Sequence, residues 1–421
     1  MRHQPQSTSR APTFTSRSHL PIIELARPLR DAIWLGHPWI YRQALRSPPD
    51  LPSGTVVDIT DRNGFVARGL YDQHSPLAVR VYTLDESESV DASLVAKRLS
   101  AAYQVRRRTL PGLGTETTGY RLCHGEGDRL PGIVIDIYGP IAVVITDGDA
   151  ARTLLSAVVS ALKACADELG ITTIYERHQR RQGHGGGLLF GNPPQLAPED
   201  RGRHPLELVF REHGMRLLVD VENGQKTGMF LDQRENRRLI RDISAGLSVW
   251  NGFSYTGGFS LAAALGGATR VVSVDRAEAA IDTARRNFAL AGLPLADHEF
   301  LAEDAFAALA RSKTRGEHFD LVIVDPPSFA PTQQAVPGAL SAYRRLHEQA
   351  IDLVTQGGLL AAASCSSHID EKAFLSTICD AAVAKKRAVQ LLEIRSQPSD
   401  HPTLPAFPEG RYLKFILCRV S

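Results

Sequence analysis

The hydrophobic positions of this chain change rhythm twice. Between residues 22 and 90 they alternate with polar ones in short runs, TVVDIT, FVARGLY and LAVRVYTL, divided by turn signals such as Asp61-Arg62-Asn63-Gly64. Alternation with period two marks half-buried strands, and close turns between them predict a small β-barrel or sandwich. Residues 92–114 instead carry apolar side chains at helical spacing and stop at Pro111 and Gly112. The stretch YRLCHGEGDRLPGIVIDIYGPIAVVIT then predicts two strands around turns at Gly125–Gly132 and Gly139-Pro140. A helix over about 150–168 and a strand at TTIYER complete a second, small α/β unit. Residues 180–205, rich in Gly and Pro, read as a linker or exposed loop.

From about residue 206 the rhythm changes again. Strand-like RLLVDV precedes ENGQKTGMFLDQRENRRLI, whose second half reads as a charged amphipathic helix. Strands and helices then alternate strictly: SVWNGF, RVVSVD, HEFLAED, DLVIVD, GGLLAAAS and VQLLEI each precede or follow a helical stretch, and YLKFILCRV closes the chain. This order predicts a doubly wound, mostly parallel Rossmann-like sheet, with ligands bound beyond the carboxyl ends of the strands. The expected division is a disordered tail over 1–21, a β unit over 22–97, an α/β unit with linker over 98–205, and the doubly wound domain over 206–421.

Composition changes this picture only in places. The chain has 421 residues, enough for several cores, and a net charge of +2. Residues 1–110 carry 15 Lys and Arg against 10 Asp and Glu, and the run Arg106-Arg107-Arg108 hints at a polyanionic partner. Trp39 and Tyr41, beside arginines, read either as base-stacking aromatics or as core residues. No apolar run is long enough to span a membrane, and the first twenty residues lack the apolar segment of a secretory signal. The five cysteines are scattered, with no CxxC spacing, so neither a disulfide framework nor a metal site is expected, and a cytoplasmic location fits.

The strand ends carry the chemistry. In NGFSYTGGFS, Gly257 and Gly258 open a helix whose N-terminus can face a polar ligand group. Asp275 ends the next strand, where an acid can accept hydrogen bonds from ribose hydroxyls, and Asp304 follows the third, near the place of a base edge. The turn is not GxGxxG, so the close approach a pyrophosphate requires is not encoded. An adenosyl ligand without phosphates, S-adenosylmethionine, fits better. The fourth strand ends in VDPPSFA, where two prolines stiffen the turn after Asp325. Cys365 ends the fifth strand in AAASCSS. It is either a small core residue or a nucleophile at the sheet rim. Fourth and fifth strands are neighbours in the usual doubly wound order, which sets Cys365 beside Asp325. That pairing suits thiolate attack on carbon 6 of a pyrimidine, with Asp325 at ring nitrogen 3.

The strings HGMRLLVDVENGQKTGMFLDQRENRR, NGFSYTGGFSLAAALGGA, VVSVD, VDPPSFA, SCSS and DHPTLPAFPEGRYLKFILCRV resemble the bacterial large-subunit (23S) rRNA 5-methylcytosine methyltransferases with an N-terminal PUA domain. HPWIY and its following strands resemble that PUA domain, and YRLCHGEGDRLPGIVIDIYG the family's central domain. The resemblance spans about residues 22–421. It implies a class I methyltransferase domain, methyl-donor contacts near Gln233, Phe253, Tyr255, Asp275, Asp304 and Asp325, and Cys365 as nucleophile. The expected partner is large-subunit rRNA, with a homodimer as the expected assembly and neither membrane nor metal involved. Three other readings compete: methylation of an exocyclic amine, which needs no thiol; a non-catalytic RNA-binding assembly factor; and, least supported, a dehydrogenase.

Overall fold

The computed structural model describes residues 20–178 and 186–421. Nearly all of the tail expected over 1–21, and the first residues of the 180–205 stretch, lie outside the described residues.

Strands β1 (Ile22–Glu24), β2 (Trp39–Tyr41), β3 (Val56–Asp61), β4 (Gly64–Tyr71) and β5 (Leu77–Thr83) form one sheet in the order β1-β3-β4-β5-β2. Alternate residues of β3 and β4 meet Ile23, Ile40 and Val79 in a core of their own. The turn after β3 forms as its sequence predicts: the Asp61 carboxylate accepts the Asn63 N–H at 2.7 Å and is held from the other side by Arg30.

The helix Ala92–Thr109 starts where the Asp91 carboxylate accepts the N–H groups of Ser93 and Leu94. It packs on the helix Leu155–Ala164 and on β6 (Gly119–His124). The boundary expected at 97/98 thus falls inside a single helix. The sheet beneath it adds β7 (Ile133–Tyr138), β8 (Ile141–Thr146), β9 (Thr173–Arg177) and β10 (Gly186–Phe190), in the order β10-β9-β8-β7-β6. Strand β10 corrects the reading of 180–205 as a linker. It is an edge strand with alternating exposed and half-buried residues, ordered by pairing with β9 rather than by its own glycine-rich composition.

A hairpin of β11 (Glu207–Glu212) and β12 (Met215–Asp220) follows. It closes through His213-Gly214, with φ of 47° and 76°, the backbone of a type I′ turn. Only β12 was legible, because His-Gly is not one of the usual signals for that turn.

The last domain holds β13 (Ser248–Gly252), β14 (Arg270–Asp275), β15 (His298–Ala302), β16 (Phe319–Val324), β17 (Val354–Ser364), β18 (Val389–Arg395) and β19 (Lys414–Val420). Their order is β15-β14-β13-β16-β17-β19-β18, parallel except for β19, which runs antiparallel to both its neighbours. The strand order reverses at β13, which pairs β14 on one side and β16 on the other. Apolar side chains of successive strand residues go to opposite faces, giving two cores, one around Val249 and Ile323, the other around Trp250 and Val322.

The helix Arg234–Ile243, read as charged and amphipathic, buries two of its arginines, Arg234 and Arg237, and leaves Arg238 and Asp242 exposed. Arg237 makes a bidentate pair with Glu212 at 2.6 Å, and Arg234 one with Asp400 at 2.8 and 2.9 Å, both Arg234 and Asp400 fully buried. Asp400 also accepts the backbone N–H of Arg121, and the buried Arg106 donates to the Asp400 carbonyl and to Asp128. The middle unit and the doubly wound domain therefore share one buried polar network.

Candidate active site

The carboxyl ends of β13, β14, β16 and β17 converge on a cavity of about 370 Å³. Phe253, Tyr255, Asp275, Asp304, Asp325, Gln233 and Cys365 all line it. Gly257 does not; its neighbour Gly258 does. Gly257 instead makes the turn possible. Its φ is 78°, and an added Cβ would sit 2.8 Å from Cβ of Ala284.

The loop after β13 is wound tightly. Phe253 and Tyr255 both hold positive φ, at 58° and 48°, as does Lys226 across the cavity at 52°. Non-glycine residues in this region store strain, of order 1–3 kcal/mol each, that surrounding contacts must hold. Here the contacts are visible: the Asp275 carboxylate accepts the Tyr255 N–H at 2.8 Å and the Ala277 N–H at 2.9 Å, while Tyr255 Oη donates to the Gly228 carbonyl. Asp275 is thus fixed at the tip of β14 with lone pairs still free. Asp304 caps the next helix, accepting the N–H groups of Phe306 and Ala307, and presents the rest of its carboxylate to the cavity. Phe253 and Phe306 meet edge to face at 6.2 Å beside it. Two carboxylates beside an aromatic slot fit the ribose and purine of an adenosyl group. Ser254 adds a buried hydroxyl with no partner among the described residues, placed to bind a polar ligand atom.

The other half of the cavity is a cluster of charge. Val324 of β16 lies opposite Ala362 of β17, so Asp325 and Cys365 leave neighbouring strands on the same side of the sheet. Asp325 accepts a hydrogen bond from Gln233 Nε2 at 3.0 Å, and Gln233 is oriented in turn by Asn236. Burial, and then the charge of Asp232, push the Asp325 carboxyl up to about 7. Burial also acts to raise Asp232, but Lys226, His401, the Tyr412 hydroxyl and Arg121 outweigh it and hold that carboxyl well below its usual range. Tyr412 Oη donates to Asp232 at 2.7 Å and Lys226 Nζ at 3.2 Å. Two carboxyl groups in one cavity are pushed apart in this way, one toward the acid form and one firmly ionised. Burial, then Asp325, raise the Cys365 thiol above its ordinary value.

Lys226, Asp232, Phe306 and Tyr412 were not singled out from the sequence. Lys226 and Asp232 stand in the GQKTGMFLDQR string, from which only Gln233 was taken. Their signal was a lysine and an aspartate flanking an apolar stretch, where a surface loop would read the same. Of the two readings left open for Trp39, base stacking or core, the packing one is found, and the arginine run is only partly exposed. Trp39 donates its indole N–H to Glu126 at 2.8 Å and packs on Phe407, so it joins units instead of offering a face for stacking. Of the run at 106–108, Arg106 is fully buried and only Arg107 and Arg108 reach the surface. Among the described residues no helix is long and apolar enough to cross a membrane.

The profile of the S-adenosylmethionine-dependent methyltransferases matches residues 158–411, and that of the PUA-like domain residues 23–84. Ribosomal RNA large subunit methyltransferase I of Escherichia coli O139:H28 (strain E24377A / ETEC) is 37% identical over 402 residues, covering 94% of this chain and 98% of that protein. The protein of the same name from Shigella boydii serotype 4 (strain Sb227) is 38% identical over the same shares. The fold is also that of a Streptococcus mutans protein described as a SAM-dependent methyltransferase, with a TM-score of 0.81, 22% identity and coverage of 95% of this chain and 100% of that one. A methyltransferase crystallised with SAH gives the same TM-score at 23% identity and the same coverage.

Proposed function

Because the chain belongs to the S-adenosylmethionine-dependent methyltransferases, in the family of ribosomal RNA large subunit methyltransferase I, we propose that it methylates carbon 5 of a cytosine in large-subunit rRNA, with Cys365 as nucleophile. The observation that carries the reading is the pairing at the strand tips: a thiol beside a buried carboxyl pushed up to about 7, both on the cavity wall.

Gln233, Phe253, Tyr255, Asp275 and Asp304 would hold the cofactor, which supplies an electrophilic methyl group. The chain's own residues make the cytosine able to accept it. The Cys365 thiol gives its proton to solvent, Sγ forms a bond to carbon 6, and the ring electrons shift toward nitrogen 3, which takes the proton that Asp325 holds. Carbon 5 is then the electron-rich end of an enamine. After methylation the carbon 5 proton passes to solvent, its electron pair re-forms the ring double bond as the C–S bond breaks and sulfur leaves as the thiolate, and Asp325 recovers its proton from nitrogen 3. A carboxyl that is protonated near neutrality and buried beside an ionised partner is suited to both halves of this cycle.

In the same reading the PUA-like unit and the exposed arginines of the first two units hold the RNA backbone, and the enzyme works in the cytoplasm. The domain division follows as a PUA-like unit ending between residues 84 and 91, a middle α/β unit to about 205, and the methyltransferase domain from 206.

The deciding experiment is Cys365→Ala in the full-length protein. Methylation should be abolished while cofactor affinity and the circular dichroism spectrum stay unchanged, since a half-buried strand-end residue loses little packing. RNA containing 5-fluorocytosine should form a covalent complex with the parent protein and none with the variant. If the alanine variant still methylates RNA, the thiol takes no part, and methylation of an exocyclic amine becomes the better reading.

A further inference from the structure

Cys365 sits in a loop that is pinned from two sides. On one side Tyr343 Oη bonds Ser364 Oγ at 2.9 Å and Ser366 Oγ at 3.2 Å, and Ser328, just past the Asp-Pro-Pro turn, reaches Ser366 Oγ at 3.1 Å. On the other side stands Lys414, the first residue of β19 and the register partner of Ser364. Its Nζ donates to the carbonyl of Ser366 at 2.6 Å and of Tyr412 at 2.7 Å.

This lysine is only 4% exposed, and among the described residues its ammonium forms no ion pair. An ammonium buried against neutral carbonyls alone is costly, and a nearby anion relieves the cost. Two acidic groups act on Lys414, Cys365 first and then Asp370, whose carboxylate is already engaged in capping the helix Glu371–Ala384. The other charged and titratable groups facing the thiol are Asp325 after β16, Lys226 and Asp232 from the 225–233 segment, and Tyr343 from the helix Val336–Leu353. Lys226 already has its anion in Asp232, and Asp325 works against a thiolate. Burial lowers Lys414 to about 8, and Cys365 acts in the opposite direction.

We propose that Lys414 is a positioning residue for the reaction: its ammonium pins the loop that carries Cys365 and is the counter-ion of the Cys365 thiolate. When the S–H bond breaks, its electron pair stays on sulfur opposite the fixed ammonium and the proton passes to solvent. The inference rests on Cys365 being the nucleophile, yet its test needs neither RNA nor cofactor.

The rate of Cys365 alkylation by iodoacetamide, followed by peptide mass spectrometry across pH, reports its thiolate fraction. Lys414→Met should move the inflection upward by about one unit, slowing alkylation about tenfold below it. Lys414→Arg, which keeps the charge, should restore most of the rate. Lys414→Gln keeps a donor for the Ser366 carbonyl without charge; it should behave as the Met variant and carries the comparison if that variant unfolds. An unchanged inflection in a folded neutral variant would overturn the proposal. If Cys365→Ala retains methylation while the Lys414 shift is observed, the nucleophile reading fails and the thiol–ammonium coupling stands.

Discussion

Replacing Asp325 by asparagine tests the electrostatics of the site without any substrate. The side chains have nearly the same shape, and asparagine can still accept the hydrogen bond from Gln233. What changes is titration. Burial and the neighbouring Asp232 raise Asp325 from 3.8 to about 7 in the folded protein. Because the folded value lies above the unfolded one, the unfolded chain releases this proton first as pH rises. Stability is therefore lost between about pH 4 and pH 7 and not recovered above it. With those two values and about 1.4 kcal/mol per unit, the loss is about 2 kcal/mol at pH 5 and about 4 kcal/mol at pH 8. The asparagine variant has no such loss. Relative to the parent it should gain about 2–3 kcal/mol in stability between pH 5 and pH 8. Urea unfolding of both proteins at the two pH values, without cofactor, measures this as a double difference in which every other titrating group cancels. A difference near zero would mean that Asp325 titrates as an ordinary carboxylate, and the proton it is said to give to nitrogen 3 would not be there.

Other perturbations follow from the same arrangement. Asp275→Ala should weaken S-adenosylmethionine binding at least tenfold by calorimetry, the loss of about 1.5–3 kcal/mol expected for a charge-assisted hydrogen bond; unchanged affinity would misplace the pocket. Asp400→Asn leaves the fully buried Arg234 only the half-buried Glu235 as counter-charge and should cost about 3 kcal/mol in urea unfolding, far more than a surface pair is worth. Changing the exposed Arg27, Arg62, Arg107 and Arg108 to glutamine should weaken rRNA binding and flatten its salt dependence by about one logarithmic unit for each phosphate no longer neutralised. If the salt slope stayed the same, the RNA would lie on another face.

Strand periodicity and strand-end residues carry information that survives without a structure. The alternating β and α stretches from residue 206 could bury their apolar faces only in a doubly wound sheet, and such a sheet puts the ends of β13, β14, β16 and β17 on one rim. That is why Asp275, Asp325 and Cys365 were legible as a set, whereas Phe253 came only with the family resemblance. Local chemistry also fixed the Asp61–Gly64 turn, because the groups that satisfy each other are a few residues apart. Charges that pair across the chain had no such signal. Arg234 and Asp400 are far apart in sequence, and each alone reads as a solvated surface residue; only packing of the middle unit on the methyltransferase domain buries both and makes their pairing obligatory. The same holds at the reaction centre. A carboxyl at the end of β16 is visible in the sequence, but its proton depends on burial beside Asp232, and Asp232 reaches it only through the fold. The sequence alone determined which residues stand at the strand tips; the tertiary structure decided which of them carry charge, because desolvation and the distance to another charge are properties of the packed molecule.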